Sequence, residues 1–306
     1  MSLDKEKPII WNVRGYELQI THPNKVYWPK EGYTKLDILQ YYFDMAPTLL
    51  PYFKDRPVTL HYFPKGIEEL SFYKRNFEDE EEDENLFHTI AYEEISQDKT
   101  IRVPLIDSAA GLLFFASRGG FEFHLWSSKA TNYSYPDMAI FDFDVNENVA
   151  FETVLQAASY LNELLNSMNL KSYPKTTGGS GLHVYVPIVP KYSFKEVREW
   201  VKRINDTLAK KYPNLITTQK KSKKTHISNK VTVDYLQNVI SRNTAAPYTV
   251  RAYPNAPVSA PLTWKEVKNG GFLPKDFNIK TMPKRVEKLG DLFSEVLSIK
   301  QQIKIG

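Results

Sequence analysis

Apolar residues recur at helical spacing in three segments of the chain. The first segment starts at Thr34, where a hydroxyl followed three positions later by an acidic residue matches a capping box, and it runs to Pro47. The second covers residues 151–170, and the third starts at Ser193, with Glu196 as its capping partner. The apolar stripes that predict these helices are Leu36, Leu39, Tyr42 and Phe43; Val154, Leu155, Ala158, Leu161, Leu164, Leu165 and Met168; and Val197, Trp200, Val201, Ile204 and Leu208.

Short runs of β-branched and aromatic residues lie between and beside these helices. They predict strands at residues 57–62, 139–145, 183–189, 231–236 and 248–252. Strands and helices alternate from about residue 139 to residue 236, which is typical of a mixed α/β sheet with helices packed on one face or on both. No internal repeat and no long Gly/Ser-rich linker divides the chain into independent domains.

The composition limits the chemistry. A chain of 306 residues, 42% of them hydrophobic, can bury a core. It has no cysteine, so a bound metal must use oxygen or imidazole ligands. No apolar run reaches the ~18 residues of a membrane span, and the start lacks the apolar core of a signal peptide. We therefore expect a cytoplasmic protein with no membrane partner.

The charges are unevenly distributed along the chain. The formal net charge of +4 is compatible with a polyanionic partner. An unbroken acidic run at residues 78–84 predicts an exposed loop, and a solvated surface is the simplest explanation of each charged run taken alone. Basic residues gather at Lys210, Lys211, Lys220, Lys221, Lys223 and Lys224, and at Lys284, Arg285 and Lys288.

Two carboxylates in one predicted strand point to a metal site. Side chains alternate along a strand, so Asp142 and Asp144 share one face, while Phe141, Phe143 and Val145 lie on the other. Two like charges brought together need a cation between them, and Mg²⁺ or Mn²⁺ prefers oxygen ligands. An isolated Asp-x-Asp is weak evidence, because sugar transferases use the same spacing.

A third aspartate strengthens this interpretation. Asp234 lies in the apolar run Val231-Thr-Val-Asp-Tyr235, and a carboxylate in such a strand needs a partner. A shared metal site is one explanation. A buried salt bridge is the other, and it is favoured for Asp234 considered alone.

A Gly-rich turn precedes the predicted strand at 183–189. Its glycines allow close approach of the backbone, and its amides with the hydroxyls of Thr176, Thr177 and Ser180 can receive phosphate oxygens. It is not a Walker loop, because no Gly-Lys-Ser/Thr follows. His183 alternates away from the apolar row of its strand. Beside this turn it is interpreted as a hydrogen-bond donor to phosphate, although a lone histidine is more often structural.

Two arginines follow the third aspartate. Arg242 and Arg251 stay charged and donate in a fork, which suits triphosphate oxygens. Surface solubility explains either arginine equally well without the other motifs.

The motifs form an ordered set: Thr21-His-Pro-Asn-Lys-Val-Tyr-Trp-Pro29, Gly32-Tyr-Thr-Lys35, Tyr41-Tyr42, Arg56-Pro-Val-Thr59, Phe63-Pro64, Phe141-Asp-Phe-Asp-Val145, Thr177-Gly-Gly-Ser-Gly-Leu-His183, Val233-Asp-Tyr235 and Ala246-Pro-Tyr-Thr-Val-Arg251. This set resembles the polymerase domain of the bacterial end-joining DNA ligase, ligase D, of the archaeo-eukaryotic primase superfamily. The likeness covers most of residues 15–275. It implies an α+β fold of mixed and antiparallel sheets with flanking helices around an RRM-like primase-polymerase core.

The resemblance also implies a domain division and roles for individual residues. One catalytic domain is expected at 1–290, with an N-terminal portion to about 130, a catalytic core at about 131–270, and a tail at 291–306. The implied site residues are Asp142, Asp144 and Asp234 for two Mn²⁺ or Mg²⁺ ions; Thr177, Ser180, His183, Arg251, His61 and His124 for the nucleotide; and Lys25, Lys35, Phe72 and Tyr73 for DNA. Thr177 stands where the family usually has serine, and Ser180 and His61 stand where lysine is frequent.

The implied activity is nucleotidyl transfer by a metal-dependent primase-polymerase. The resemblance implies addition of nucleotides, with ribonucleotides preferred, to primer 3′ ends at gaps or double-strand breaks in non-homologous end joining. It implies DNA with a 5′-phosphate and nucleoside triphosphates as ligands, Ku and an ATP-dependent DNA ligase as partners, and association with the nucleoid. The alternatives are a two-metal nuclease or phosphodiesterase, and a non-catalytic module that binds DNA ends and recruits a ligase.

Overall fold

The computed structural model describes residues 7–94, 98–145, 149–218 and 229–305. Its strands are β1 (Ile9–Val13), β2 (Tyr16–Ile20), β3 (Val26–Trp28), β4 (Tyr33–Thr34), β5 (Val58–Tyr62), β6 (Phe72–Lys74), β7 (His88–Glu94), β8 (Lys99–Leu105), β9 (Gly120–Trp126), β10 (Met138–Asp144), β11 (Tyr173–Thr176), β12 (Leu182–Pro187), β13 (Ile216–Thr217), β14 (Val231–Asp234) and β15 (Asn243–Ala245). Its helices are α1 (Lys35–Phe53), α2 (Ala109–Ser117), α3 (Phe151–Ser167), α4 (Phe194–Lys211), α5 (Trp264–Asn269), α6 (Met282–Leu289) and α7 (Glu295–Ser298), with 3₁₀ turns at Ala130–Asn132 and Pro274–Asp276.

The larger sheet has five strands in the order β11-β12-β10-β14-β13, with only its β13–β14 pair parallel. Helices α3 and α4 pack on one face, where Phe141 and Phe143 join Val154 and Trp200 in one apolar core. The rings of Phe141 and Trp200 meet edge to face with centroids 5.8 Å apart. Because this face is closed by helices, the polar side chains that alternate with it project from the other face.

The second sheet has four antiparallel strands in the order β15-β9-β5-β6. Phe123 of β9 packs edge to face against Tyr42 and Phe53 of α1, at 5.2 and 5.5 Å between ring centroids. Alternation along β9 therefore turns Glu122 and His124 to the opposite face. Three two-stranded sheets, β1-β2, β3-β4 and β7-β8, complete the described strands.

All three predicted helices are present, and the capping boxes at Thr34 and Ser193 are formed. The expected end of the first helix at Pro47 is wrong, because α1 continues to Phe53. A proline within a helix removes one hydrogen bond and costs ~3 kcal/mol. Burial of Leu49, Tyr52 and Phe53 beyond Pro47 offsets that cost.

Four of the five predicted strands are present, and the strand at 248–252 is absent. Tyr248 has a left-handed φ of +66°, and Val250 forms only an isolated bridge with Val258. The amide of Val250 donates to the hydroxyl of Tyr42 at 2.9 Å. A side chain from α1 thus takes the hydrogen bond that a neighbouring strand would have received.

Residues after α6 pack back onto the fold. Asp291 accepts hydrogen bonds from the hydroxyls of Tyr52 and Tyr248, at 2.7 and 2.5 Å. Phe293 and Val296 are buried in the core that contains α1. The domain division expected from the sequence, including a boundary at residue 290, stays a prediction. In the described parts of the chain, no helix is long and apolar enough to cross a membrane.

The acidic run at 78–84 is an exposed loop, as the sequence predicts. Glu80 pairs with Lys74 and Glu82 pairs with Arg102, so part of its charge is met by neighbouring basic residues. Among the basic residues noted in the sequence, Lys210 and Lys211 end α4 and are exposed. Lys220, Lys221, Lys223 and Lys224 lie outside the described residues.

Candidate active site

Three aspartates share one face of the five-stranded sheet. Asp142 lies directly opposite Asp234 in the antiparallel β10–β14 ladder, and Asp144 follows two positions along β10. Directly opposed residues have Cβ atoms ~5 Å apart on the same side of a sheet, and alternation adds Asp144 to that side. Asp142 is buried, Asp234 half-buried and Asp144 exposed, so the group leads from the core to the surface. We call these three residues the aspartate site.

One oxygen of Asp142 has no hydrogen-bond donor. Oδ2 accepts from Gln237 Nε2 at 3.0 Å, and His183 Nε2 lies 3.2 Å from Oδ1. The second contact lacks hydrogen-bond geometry, so within the described ranges no donor satisfies the buried Oδ1. Burial alone would raise the pKa of Asp142, but His183 and then Gln237 outweigh burial and lower it. An ionised, buried carboxylate with a free oxygen fits a divalent cation.

A buried lysine orients His183. Lys175 in β11 lies opposite His183 in β12, and its Nζ contacts His183 Nδ1 at 3.0 Å, Ala245 O at 2.9 Å and Ser259 Oγ at 2.6 Å. These three acceptors match the three donors of an ammonium. A protonated Lys175 would donate to Nδ1 and leave the ring hydrogen on Nε2, the nitrogen that faces Asp142. Burial and then the charge of Arg251 hold the pKa of Lys175 well below its usual value. Burial, with the nearby charge of Lys175, lowers the pKa of His183 to about 4, so the ring is neutral at pH 7.

The Gly-rich turn joins β11 to β12 beside the aspartate site. Thr177 Oγ1 accepts the backbone N–H groups of Gly179 and Gly181, both at 3.2 Å, so the turn folds around one hydroxyl. A Cβ placed on Gly181 would lie 3.5 Å from Asp144 Oδ1. The turn therefore closes over the exposed end of the aspartate site. Successive backbone amides in such a turn form a concave surface that suits phosphate.

Arg251 joins the turn to the second sheet. Its Nη1 donates to Thr177 O, and its Nε lies 3.3 Å from Glu122 Oε1. Gly178 packs against the arginine stem: it has a φ of +80°, and a Cβ there would lie 2.5 Å from Arg251 Cγ. The guanidinium is thus held between the turn and β9. Of the two arginines noted in the sequence, Arg242 is exposed after β14.

A second set of potential ligands lies on the four-stranded sheet. His61 of β5 lies opposite Glu122 of β9, and His124 follows two positions along β9 on the same face. Glu122 Oε2 lies 3.0 Å from His61 Nδ1 and 3.3 Å from His124 Nε2. Within the described residues, these three side chains offer ligand atoms within 4.8 Å of one another and could hold a metal ion. We call them the histidine group.

Glu122 is the buried carboxylate that contacts both histidines of the histidine group. Burial alone would raise its pKa, but the charge of Arg251 and the hydrogen bonds from His124 and His61 hold the pKa well below its usual value. Its Oε1 also accepts from the backbone amide of Ala252. Both oxygens of this ionised carboxylate are therefore occupied.

Three buried or half-buried polar residues at the site were not among the sequence-based candidates. The first is Glu122, which stands two positions before the expected His124 in an otherwise apolar run, a spacing that indicates a shared strand face. Lys175 begins the segment that leads into the Gly-rich turn, but its burial depends on β15 and on Ser259. Gln237 carries no comparable signal in the sequence.

The two lysines expected to contact DNA come together where β3 meets β4. The backbone N–H of Lys35 donates to Lys25 O at 2.7 Å. Lys25 Nζ donates to Pro64 O and Lys35 Nζ donates to Thr21 O, both at 2.7 Å. Lys25 is half-buried, whereas Lys35 is buried with 5% of its surface exposed.

The two expected aromatic contacts are neighbours in β6, so their side chains point to opposite faces of the sheet. Tyr73 stacks on His61 with ring centroids 3.9 Å apart, on the face of the histidine group. Phe72 stacks on Tyr62 at 5.3 Å on the other face. Phe72 is 47% exposed and Tyr73 is 59% exposed, although both are large and apolar.

Ser180 lies exposed at the tip of the Gly-rich turn. It lines a cleft of about 480 Å³ together with Phe151, Tyr253 and Lys275. The structure thus places Thr177, His183 and Arg251 around the base of the turn, and Ser180 at its rim.

Comparison with known proteins identifies the family to which the chain belongs. The family model described as "LigD, primase-polymerase domain" matches residues 34–293. The "Multifunctional non-homologous end joining protein LigD" of Mycolicibacterium smegmatis is 28% identical over 288 residues, covering 93% of this chain and 37% of that protein. The "Bifunctional non-homologous end joining protein LigD" of Bacillus subtilis is 30% identical over 276 residues, covering 90% of this chain and 43% of that protein. The chain thus spans about two fifths of these relatives.

A solved structure also supports membership of this family. The polymerase domain of Mycobacterium tuberculosis ligase D, in complex with DNA, superposes with a TM-score of 0.82 at 26% sequence identity, covering 93% of this chain and 99% of that one. The resemblance, the α+β fold class and the primase-polymerase enzyme class expected from the sequence are confirmed.

Proposed function

Because the chain belongs to the LigD primase-polymerase domain family, we propose that it transfers nucleotides from nucleoside triphosphates to primer 3′ hydroxyls at gaps or broken ends of DNA in non-homologous end joining. The observation that carries this proposal is the unsatisfied Oδ1 of Asp142, on a strand face shared with Asp234 and beside a Gly-rich turn fixed to Arg251.

The aspartate site would hold two Mn²⁺ or Mg²⁺ ions, since these ions prefer carboxylate oxygens. When bound, such ions lower the pKa of the attacking hydroxyl and neutralise the leaving pyrophosphate. The protein contributes by holding the three carboxylates in position. Strands β10 and β14 hold Asp142, Asp144 and Asp234 on one rigid face before substrate arrives, so little rearrangement is needed during the reaction.

The Gly-rich turn and its neighbours would receive the triphosphate. The turn folded around Thr177 presents backbone amides, and Ser180 adds a hydroxyl at its tip. Neutral His183 can donate from Nε2, and Arg251 stays charged and donates in a fork. His61 and His124 lie on the facing sheet, and Arg251 links them to the turn through Glu122.

DNA is the proposed polymeric partner, since the related mycobacterial polymerase domain was solved in complex with DNA. We assign Lys25 and Lys35 to a 5′-phosphate at the far side of a gap, and Phe72 and Tyr73 to stacking on the template. The ammonium of Lys25 has three donors, so its contact with Pro64 O leaves donors for a phosphate. The proposal also includes two protein partners, Ku and an ATP-dependent DNA ligase. It further includes a preference for ribonucleotides and association with the nucleoid.

Sizing the products of a labelled primer on a gapped duplex tests this function. The protein is incubated with ribonucleotides or deoxyribonucleotides and with Mn²⁺ or Mg²⁺. We expect lengthened primers, and loss of lengthening by more than about a hundredfold in Asp142→Ala and in Asp144→Ala. Shortened primers would indicate a nuclease, and unchanged primers that are still bound would indicate an end-binding module. Either result contradicts the proposal.

The two lysines have a separate test. Lys25→Ala with Lys35→Ala should remove the preference for a gap with a 5′-phosphate, because each ammonium that contacts the phosphate is lost. Activity on an open template should persist. Lys30→Ala is the matched control, since Lys30 is on the same segment and has 78% of its side chain exposed. Equal loss on gapped and open templates would refute the assignment.

A further inference from the structure

We propose that the histidine group, His61, Glu122 and His124, is a binding site for a divalent transition-metal ion of the zinc, cobalt and nickel class, separate from the aspartate site. The donor set is two imidazoles and one carboxylate. Ions of this class favour imidazole nitrogen, whereas Mg²⁺ favours oxygen alone. The proposal rests on the geometry of the four-stranded sheet and does not require that the chain extends primers.

The backbone brings the three ligands together before any ion binds. His61 and Glu122 are directly opposed in the β5–β9 ladder, and alternation puts His124 on the same face. The register of the ladder shifts between His61 and Tyr62, so β9 carries one extra residue beside the group. Such bulges re-aim side chains and recur next to functional sites.

The two distances from Glu122 match those between ligands around one ion, and all three ligand atoms lie within 4.8 Å of one another. Ligands that lie ~2.1 Å from a metal are ~3.0 Å apart at a right angle and ~3.4 Å apart in a tetrahedron. Glu122 Oε2 is 3.0 Å from His61 Nδ1 and 3.3 Å from His124 Nε2. An ion would therefore replace two hydrogen bonds to one oxygen without a large movement of the side chains.

The other nitrogen of His61 has a partner suited to a ligating imidazole. His61 Nε2 lies 3.1 Å from Ser71 Oγ, which can accept its hydrogen when Nδ1 binds an ion. Tyr73 stacks on the same ring at 3.9 Å and holds its plane. The orientation of His61 is thus determined from two sides.

Access and charge also favour an ion with an open coordination position. The side chain of His61 is 16% exposed, whereas that of Glu122 is 3% exposed, so the group opens to solvent on the His61 side. Glu122 supplies one negative charge and keeps Arg251 on its other oxygen. A divalent ion would leave the site with excess positive charge, so the open position should take water or an anion.

Cobalt binding to the full chain without a polyhistidine tag tests the proposal. Co²⁺ coordinated by imidazole absorbs visible light, and its absorbance is titrated in the wild type and in variants whose thermal unfolding is checked in parallel. We expect binding in the wild type that excess Mg²⁺ does not displace, and loss of more than about a hundredfold in affinity in His61→Ala, Glu122→Gln and His124→Ala. Ser71→Ala should weaken affinity by about tenfold.

Two controls locate the ion. His88→Ala removes an exposed histidine outside the group and should leave the titration unchanged. Asp142→Ala removes the aspartate site and should also leave it unchanged, whether or not the protein extends primers. The proposal is overturned if the wild type shows no Co²⁺ absorbance, if the absorbance persists in the folded His61→Ala variant, or if Asp142→Ala abolishes it.

Discussion

In the aspartate site, carboxylates from β10 and β14 face one another and the buried Oδ1 of Asp142 has no donor in the described part of the chain. In the histidine group, a single carboxylate is satisfied on both oxygens, by His61 and His124 on one side and by the amide of Ala252 on the other, with Arg251 Nε 3.3 Å from the second oxygen. Both are built from opposed residues and their neighbours two positions away. The difference teaches that strand pairing can assemble either a carboxylate with an unsatisfied oxygen or a carboxylate whose oxygens are both hydrogen-bonded.

The largest effect should come from the aspartate site. Asp234→Asn keeps the shape of the side chain but removes one of three charges, so primer extension should fall by more than about a hundredfold. Asp206→Asn, which alters an exposed carboxylate on α4, is the control and should extend primers normally. Extension and Co²⁺ titration are measured on the same samples. Near-normal primer extension by Asp234→Asn would show that Asp234 does not contribute to the aspartate site.

A smaller effect is expected where the Gly-rich turn meets Arg251. Gly178→Ala places a Cβ 2.5 Å from Arg251 Cγ at a φ of +80°, whereas Gly15→Ala meets nothing within 4 Å at a φ of +92°. Both substitutions should cost ~1 kcal/mol of stability for the left-handed backbone. Only Gly178→Ala should raise KM for the nucleotide, by about tenfold, since ~1.4 kcal/mol corresponds to a factor of ten. Steady-state kinetics with both variants separate displacement of Arg251 from backbone strain.

The last of these effects concerns the buried lysine behind His183, and it is expected mainly in stability. Lys175→Met leaves Ala245 O and His183 Nδ1 without their donor, so the free energy of unfolding should fall by about 1–3 kcal/mol in urea titration. Nucleotide affinity should fall with it, because His183 loses its fixed orientation. Lys171→Met is the control, since the Lys171 side chain is 64% exposed. Unchanged stability in Lys175→Met would mean that Lys175 does not hold His183 in place beside the aspartate site.

Local patterns in the sequence were sufficient for much of the fold and part of the site. Alternation alone put Asp142 and Asp144 on one face, and the capping boxes located the starts of α1 and α4. The Gly-rich turn was recognisable because glycine spacing is a local property. These features depend on residues within a few positions of one another, which a sequence displays directly.

The remaining features depend on contacts between distant residues. The predicted strand at 248–252 fails because Tyr42, 208 residues away, takes the amide of Val250. The pairing of His61 with Glu122 depends on which strands become neighbours, and the sequence does not display that order. The histidine group was therefore seen in the sequence only as two separate histidines, without the glutamate that joins them.

The two oxygens of Glu122 face different ligand sites, and this division has a thermodynamic consequence. Oε2 belongs to the histidine group, whereas Oε1 lies against Arg251, the proposed triphosphate contact. An ion bound at Oε2 would draw charge from Oε1 and weaken its attraction to Arg251. Linkage is reciprocal, so if an ion changes nucleotide affinity by some factor, the nucleotide changes ion affinity by the same factor. Through one carboxylate, the affinity for the ion and the affinity for the nucleotide would then depend on each other.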